Sequence, residues 1–363
     1  MSFGWGGGPL GQGRQGEGRR DPIGEAIVRA DFLRRSPFPY SGVGGHKEWW
    51  HFCVHGPEVA ALINFSLVDE RRREGPAWVE VSRLTCLVHD GAWDGDVEVF
   101  GADEAEAPGG RVRARYGHNV MFFADGAYHI RVKLRERPVE MDLVLRPTCL
   151  PGRAPNLPLE GGSPIQWVVV PRLLATGTIT VGGKVHHLRG APAYHDHNWG
   201  HWSWGDDFAW EWGFGLSDRL ESPWHMVFVR LTNRARTRIL AQALSIWRDG
   251  RQRRTFREQD VVLRHEGLLR PSAVTKIPRV MGLVAPELPT DVPRRLHVSG
   301  RTSRDAVSCV FEGHDVGQVI IPNDHDFGVT IINEVSGYVS MEGQIGGEDV
   351  HMAGRAVFEF LGS

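Results

Sequence analysis

Apolar positions along this chain come in short runs that glycine- and proline-rich turns interrupt. Residues 59–68 are apolar, bounded by Gly56 and Pro57 on one side and by Asp69, Glu70 and Arg71 on the other. Residues 77–88 read as a second strand that turns at His89, Asp90 and Gly91. Residues 119–123, 128–135 and 141–146 follow, the first two joined at Asp125 and Gly126. Residues 176–181 and 184–188 flank Gly182 and Gly183, a two-residue hairpin signal. The second half repeats the theme at 208–216, 224–231, 239–247, 308–310, 328–335 and 356–360. No long stretch keeps a 3.6-residue stripe. Short strands with frequent turns predict antiparallel barrels or sandwiches. One barrel of eight to ten strands needs only about 100 to 180 residues. The 363 residues therefore predict an all-β protein with two barrel-like units, joined between residues 190 and 205. The expected layout is a disordered tail over 1–37, a first barrel over 38–192 and a second over 193–363. Residues 271–293 carry five prolines and read as a connecting loop.

The densest chemistry lies at Tyr194, His195, Asp196, His197, Asn198, Trp199 and Gly200, followed by Phe208, Ala209, Trp210, Glu211, Trp212 and Gly213. Six of the thirteen tryptophans fall between 199 and 224. Packing alone does not call for an embedded His-Asp-His. In an extended segment, Tyr194, Asp196 and Asn198 share one face, while His195, His197 and Trp199 share the other. The same alternation puts Phe208, Trp210, Trp212 and Phe214 on one face of the next strand. If the two strands are neighbours, a carboxyl sits beside an aromatic wall. A carboxyl cut off from water has its ionised form disfavoured, so it stays protonated and can serve as a general acid. Protonating an alkene leaves a carbocation, which aromatic faces attract by roughly 0.5 to 2 kcal/mol each.

A second cluster runs from His46 through Lys47, Glu48, Trp49, Trp50 and His51 to Phe52. Glu48 is either a second acid or base or a brace for the backbone, and His51 is a candidate general base. His195 and His197, spaced i, i+2, would need a third ligand such as His186, His187, His201, Glu48 or His51 to hold a metal. Hydrogen-bonded histidines in a half-buried strand are the simpler expectation, so no metal is assigned. Asn323, Asp324, His325 and Asp326 read as a turn.

Composition narrows the field. The net charge of −2 and pI near 6.8 supply no electrostatic footprint for nucleic acid. Cys53, Cys86, Cys149 and Cys309 form no CxxC pair, which suits reduced thiols in a cytoplasmic protein. No apolar run reaches the roughly 20 residues of a membrane span. The arginines of the Gly-rich tail offer at most a weak membrane-surface contact. No Walker, dinucleotide or GxSxG fingerprint occurs.

These residues carry a resemblance. Lys47 through Phe52 resembles the E-W-W-[Y/H] signature of AttH-like proteins, and Tyr194 through Gly200 resembles the G-Y-x-D-x-N-[W/F]-G segment of the carotenoid 1,2-hydratase (hydroxyneurosporene synthase) family. Phe208 through Gly213 is similar to that family's downstream F-x-[Y/W]-x-W-G stretch, and the likeness extends in order and length over residues 38–363. The resemblance implies tandem lipocalin-like barrels and activity on hydrophobic natural products, by hydration or by cyclisation. It implies Asp196 as proton donor, with Asn198 matching directly. His195, His197 and His51 depart from the bacterial carotenoid hydratases.

The expectation is a cofactor-independent enzyme that protonates a carbon–carbon double bond of an isoprenoid or polyene-like small molecule. Asp196 is the acid, with Asn198, Tyr194, Glu48 and His51 assisting, and Trp50, His195, His197, Trp199, Trp210, Trp212 and Phe214 are candidate substrate contacts. A cyclase or pericyclase whose pocket folds its substrate is the alternative, and a non-catalytic carrier of a hydrophobic ligand is a third. Oligomeric state is left open.

Overall fold

A computed structural model describes residues 21–34, 45–71, 78–153, 157–159, 163–217, 219, 222–271 and 274–362. The chain is all-β, with two large antiparallel sheets that form lipocalin-like barrels in tandem. Among the described residues the first sheet has twelve strands. Its first and last long strands, Gly45–His55 and Lys184–Trp202, lie side by side, which draws the meander round on itself. Lys184–Trp202 pairs on its other edge with Gln166–Val181, through a hairpin in which Gly182 and Gly183 both take positive φ, as a two-residue turn of this hand requires. The second sheet has ten strands, among them Ala209–Gly215, Val329–Ile345 and Glu348–Gly362; Val274–Ile277 joins it as a parallel addition.

Alternation sorts the side chains into three apolar bodies. One fills the first barrel with Trp50, Phe52, Phe65, Tyr116 and Tyr128 among others. A second fills the other barrel, around Phe228, Phe311 and Phe358. The third lies between the barrels and holds Tyr194, Trp202, Trp204, Trp210, Trp212 and Phe214. Polar ties fix the barrels against each other. Lys47, fully buried, reaches Asp324 Oδ2 at 3.1 Å, and that oxygen also accepts from the Trp204 amide at 2.8 Å. Arg355 donates to the carbonyls of Gly56 and Pro57, Arg172 to that of Ser222, and Thr275 to that of Trp93. A cleft between two bodies held this way keeps its shape.

Several expectations need correcting. The tail expected over 1–37 contains the α-helix Pro22–Ala30, with Asp21 capping the Gly24 amide, Pro22 in the first turn and Ile27 fully buried in the first barrel's core. Nine residues were too short a stripe to register as a period. Residues 1–20 and 35–37 of that tail lie outside the described residues. Residues 193–202, assigned to the second unit, belong to the strand Lys184–Trp202 and pair within the first sheet; the chain enters the second sheet at Ala209. The proline-rich stretch 271–293 holds the strand Val274–Ile277 and the short helix Val280–Val284. The strands expected at 308–310, 328–335 and 356–360 are parts of the longer strands Ala306–Pro322, Val329–Ile345 and Glu348–Gly362, the second of which starts one residue later than expected.

Candidate active site

The strand Lys184–Trp202 separates two chemistries. Tyr194, Asp196 and Asn198 point between the barrels, and His195 and His197 point into the first barrel. A cavity of about 310 Å³ opens between the sheets. Asp196, Asn198 and His51 line it from the first sheet, and Trp210 and Trp212 from the second. Of the expected site residues, these five meet at one cavity. Tyr194 stands behind Asp196, with Phe214 stacked on its ring at 4.2 Å.

Asp196 is 3 % exposed. Tyr194 Oη donates to its Oδ2 and Asn198 Nδ2 to its Oδ1, each at 2.8 Å. Those two bonds favour the carboxylate, but burial outweighs them and, together with the charge of Glu359, raises the pKa to about 8. The group is therefore a buried acid near neutrality, with its oxygens fixed by a phenol and an amide. Burial also pushes the Tyr194 phenol well above its ordinary value, so it remains a donor. His51 is the cross-strand partner of Asp196 and lies edge-on to Trp212 at 5.5 Å. Its Nε2 faces Cys53 Sγ at 3.1 Å, and burial, with the charge of His195 adding, lowers its pKa to about 3. A ring so reluctant to take a proton is a poor general base, and that expected role does not fit its setting.

The remaining expected residues lie on the other face. His197 Nδ1 is 3.1 Å from Asp31 Oδ1 and its Nε2 is 2.8 Å from Glu48 Oε1. His195 Nε2 lies 3.2 Å from Asp31 Oδ2, to which Tyr128 also donates at 2.7 Å. Glu48 further accepts from the Arg34 amide and pairs with His46. Trp50 stacks on His197 and bonds the Asp31 carbonyl, while Trp199 packs against His197 under the Arg34 guanidinium. Glu48, Trp50, His195, His197 and Trp199 are thus not at the cavity. Even-numbered residues of Gly45–His55 and odd-numbered residues of 195–199 face the barrel interior, so these side chains brace the wall that carries Asp196. Burial disfavours the His197 cation, but Asp31 and Glu48 overcome this and raise its pKa to about 9. Against the upward push of burial, the two histidines hold Asp31 well below the ordinary carboxylate range, and His197 and His46 hold Glu48 at about 2. Both rings are engaged by carboxylates, and among the described residues no group of three or more His, Cys, Asp and Glu is arranged to hold an ion.

Sequence reasoning missed the opposite wall. Glu334 and Glu359, cross-strand partners in the second sheet, both line the cavity. Trp210 Nε1 donates to Glu359 Oε1. Burial, and for Glu334 its neighbour Glu359, pushes both carboxyls upward. Trp49, Trp167 and Trp204 complete the indole lining. The available signal was a lone glutamate inside an apolar run, at Ile331-Ile332-Asn333-Glu334-Val335 and at Val357-Phe358-Glu359-Phe360.

No protein-family model matches the chain, and no curated protein matches it in sequence. Solved structures do match in fold. A putative AttH protein from Nitrosomonas europaea aligns with TM-score 0.62 at 13 % identity, over 92 % of this chain and 98 % of that one. Kievitone hydratase from Nectria haematococca aligns with TM-score 0.58 at 10 % identity, over 90 % and 94 %. CghA, solved with Sch210972, aligns with TM-score 0.56 at 14 % identity, over 91 % and 96 %. At these identities the likeness establishes a shared tandem-barrel fold over nearly the whole chain. Among the described residues no helix is long and apolar enough to cross a membrane.

Proposed function

We propose that this protein is an enzyme that protonates a carbon–carbon double bond of a hydrophobic ligand held between its barrels, and that the outcome is hydration. The observation that carries the reading is Asp196: a carboxyl buried in an indole-lined cavity, positioned by Tyr194 and Asn198, with its pKa raised to about 8. Such an acid keeps its proton at neutral pH and releases it to a weak base only in a transition state that the surroundings favour. Trp210, Trp212 and their neighbours present π faces where the resulting cation forms. A cavity of about 310 Å³ is at the small end of the roughly 300 to 1,000 Å³ common for ligand sites. It suits a compact isoprenoid-bearing molecule, or one end of a longer polyene such as a carotenoid. Addition of water in this way needs no cofactor. That a shared-fold neighbour is named a hydratase supports the reading.

Cyclisation is the second reading. It is favoured by the two-walled, mostly apolar cavity, which can impose a folded shape on a ligand, and by the neighbour solved with Sch210972. Turnover of a prenylated aromatic compound in D2O separates the two. Hydration places one solvent deuterium on carbon and one solvent oxygen in the product, and Asp196→Asn abolishes both. A product isomeric with its substrate, carrying no solvent label and formed equally by Asp196→Asn, overturns the acid reading in favour of shape-driven cyclisation. A copurifying ligand that stays unchanged through long incubation points to a carrier instead.

A further inference from the structure

Two glutamates face each other on neighbouring strands of the second sheet, in register, on the wall opposite Asp196. Like charges in directly opposed positions repel, and a dry setting sharpens the repulsion. Elsewhere the second barrel compensates a buried glutamate fully. Glu211 is 1 % exposed and has Arg230, Arg236 and His265 within 3.4 Å. Glu334 and Glu359 have no Lys, Arg or His in ion-pair contact among the described residues; Glu359 takes one bond from the Trp210 indole, and no N–H or hydroxyl donor reaches Glu334 Oε2. Glu334 is 3 % exposed, and Glu359 is partly exposed where it lines the cavity. The other charged or titratable groups facing the cavity are Asp196, His51, which burial keeps neutral, and Arg83 on the strand Trp78–His89.

We infer that Glu334 and Glu359 act as one anionic unit, sharing a proton, that serves as counter-ion and proton acceptor for a positive charge formed on the ligand between the barrels. The inference rests on the alkene-protonation reading for its chemistry. Glu359, with the indole N–H donating to it, carries the negative charge, and Glu334 holds the proton the two share. The step balances without an external oxidant or reductant. The π pair takes the Asp196 proton to form a C–H bond and leaves a carbocation. A water lone pair forms the C–O bond, and the second proton of that oxygen passes to Glu359. Asp196 is left as carboxylate and the glutamate pair neutral. One proton has crossed from the first-sheet wall to the second-sheet wall, and it returns through solvent before the next cycle.

The test uses a stable cation of the right shape. Benzyltrimethylammonium and its uncharged carbon isostere, neopentylbenzene, are titrated separately into the full-length protein, with tryptophan fluorescence as the readout because indoles line the cavity. The cation is expected to bind at least about tenfold more tightly than the isostere. Glu359→Gln and Glu334→Gln are each expected to erase that preference while leaving the isostere's affinity within about threefold. Asp196→Asn keeps the preference, since the residue is uncharged in the resting site. A cation that binds no better than the isostere, or fails to bind, overturns the inference on the wild-type protein alone, whether or not either variant folds. A preference that survives both glutamine variants overturns it as well. Because the binding assay involves no turnover, failure of the Asp196 reading in the D2O experiment and failure of this inference are separate results.

Discussion

Around Tyr194–His197 both faces of the strand Lys184–Trp202 are buried, and they solve the problem of buried charge in opposite ways. On the barrel-interior face, the buried histidines meet carboxylates. His197 lies between Asp31 and Glu48, His195 reaches Asp31, and His46 closes the chain at Glu48. On the cavity face, Asp196 meets only neutral donors, and across the cavity it faces two more carboxyls. The first arrangement keeps Asp31, Glu48 and His197 charged, and the second favours protons on carboxyl oxygens. Compensated charge holds a wall in place, whereas uncompensated carboxyls in a dry cavity hold protons ready to move. One-residue alternation assigns each side chain to one role or the other.

The largest expected effect comes from breaking the cavity side. Asp196→Asn preserves shape and both hydrogen-bonding neighbours but removes the transferable proton, so turnover should fall by about 10² to 10⁴. Fold should persist and resistance to urea should not drop, because the substitution removes an acid that is costly to ionise. A variant that retains activity within a few-fold would assign the proton to another group.

Breaking the interior side should do the reverse. Asp31→Ala removes the carboxylate partner of His195, takes one of two from His197, and deprives the Tyr128 hydroxyl of its acceptor. Removing one partner from a buried ionic network costs about 3 to 5 kcal/mol, which urea unfolding measures directly. The cavity lining is untouched by the change, so the fraction that remains folded should keep most of its cation preference. If stability is unchanged, the network does not brace the wall.

That division was half readable in the sequence. Alternation placed Tyr194, Asp196 and Asn198 together and set His195 and His197 apart from them, because a strand's period of two needs no tertiary information. It could not say that the face carrying Glu48 and Trp50 looks inward to Asp31, a residue read as part of a disordered tail. Whether a face looks into a barrel or between barrels is decided by sheet curvature and by which strand meets which. Glu334 and Glu359 are invisible for the same reason: 25 residues separate them, and their pairing exists only in the register of the last hairpin. The all-β class was readable because turn signals are local. The full lengths of Ala306–Pro322 and Val329–Ile345 were not, since both strands run on through the interior glycines Gly313, Gly317 and Gly337.

Titration sharpens the comparison. For Asp196 the folded pKa of about 8 lies above its ordinary 3.8, so the native state holds more protons than the unfolded chain between those values. Stability from this group is therefore full below about pH 4 and is lost as pH rises towards 8, on the order of 4 kcal/mol by pH 7. Asp196→Asn should be progressively more stable than wild type over that window, with the two converging in acid. His197 behaves differently. Its folded pKa of about 9 exceeds 6.5, so its contribution is complete below 6.5 and disappears as pH rises through 9. Glu48, at about 2 against 4.5, contributes above 4.5 and is lost as pH falls through 2. Turnover that depends on protonated Asp196 should decline above about pH 8, and a rate that still climbs there would contradict an acid at this position.

The smallest effect tests the indoles themselves. Trp210 faces the cavity and donates to Glu359, so on the proposed mechanism it would touch both the cation and its counter-ion. Trp210→Phe keeps an aromatic face but removes the N–H and part of the π surface. A loss of about 0.5 to 2 kcal/mol in transition-state stabilisation corresponds to roughly a twofold to thirtyfold fall in kcat/KM. If the ring serves mainly as a π face, that fall should be at the low end and cation affinity should drop with it. If the N–H to Glu359 matters more, the variant should shift the alkaline or acidic limb of the kcat profile by changing how the glutamate pair holds its proton. A fall in unfolding stability without either kinetic change would make Trp210 a packing residue and would leave the carboxyls alone to distinguish the cavity face from the interior one.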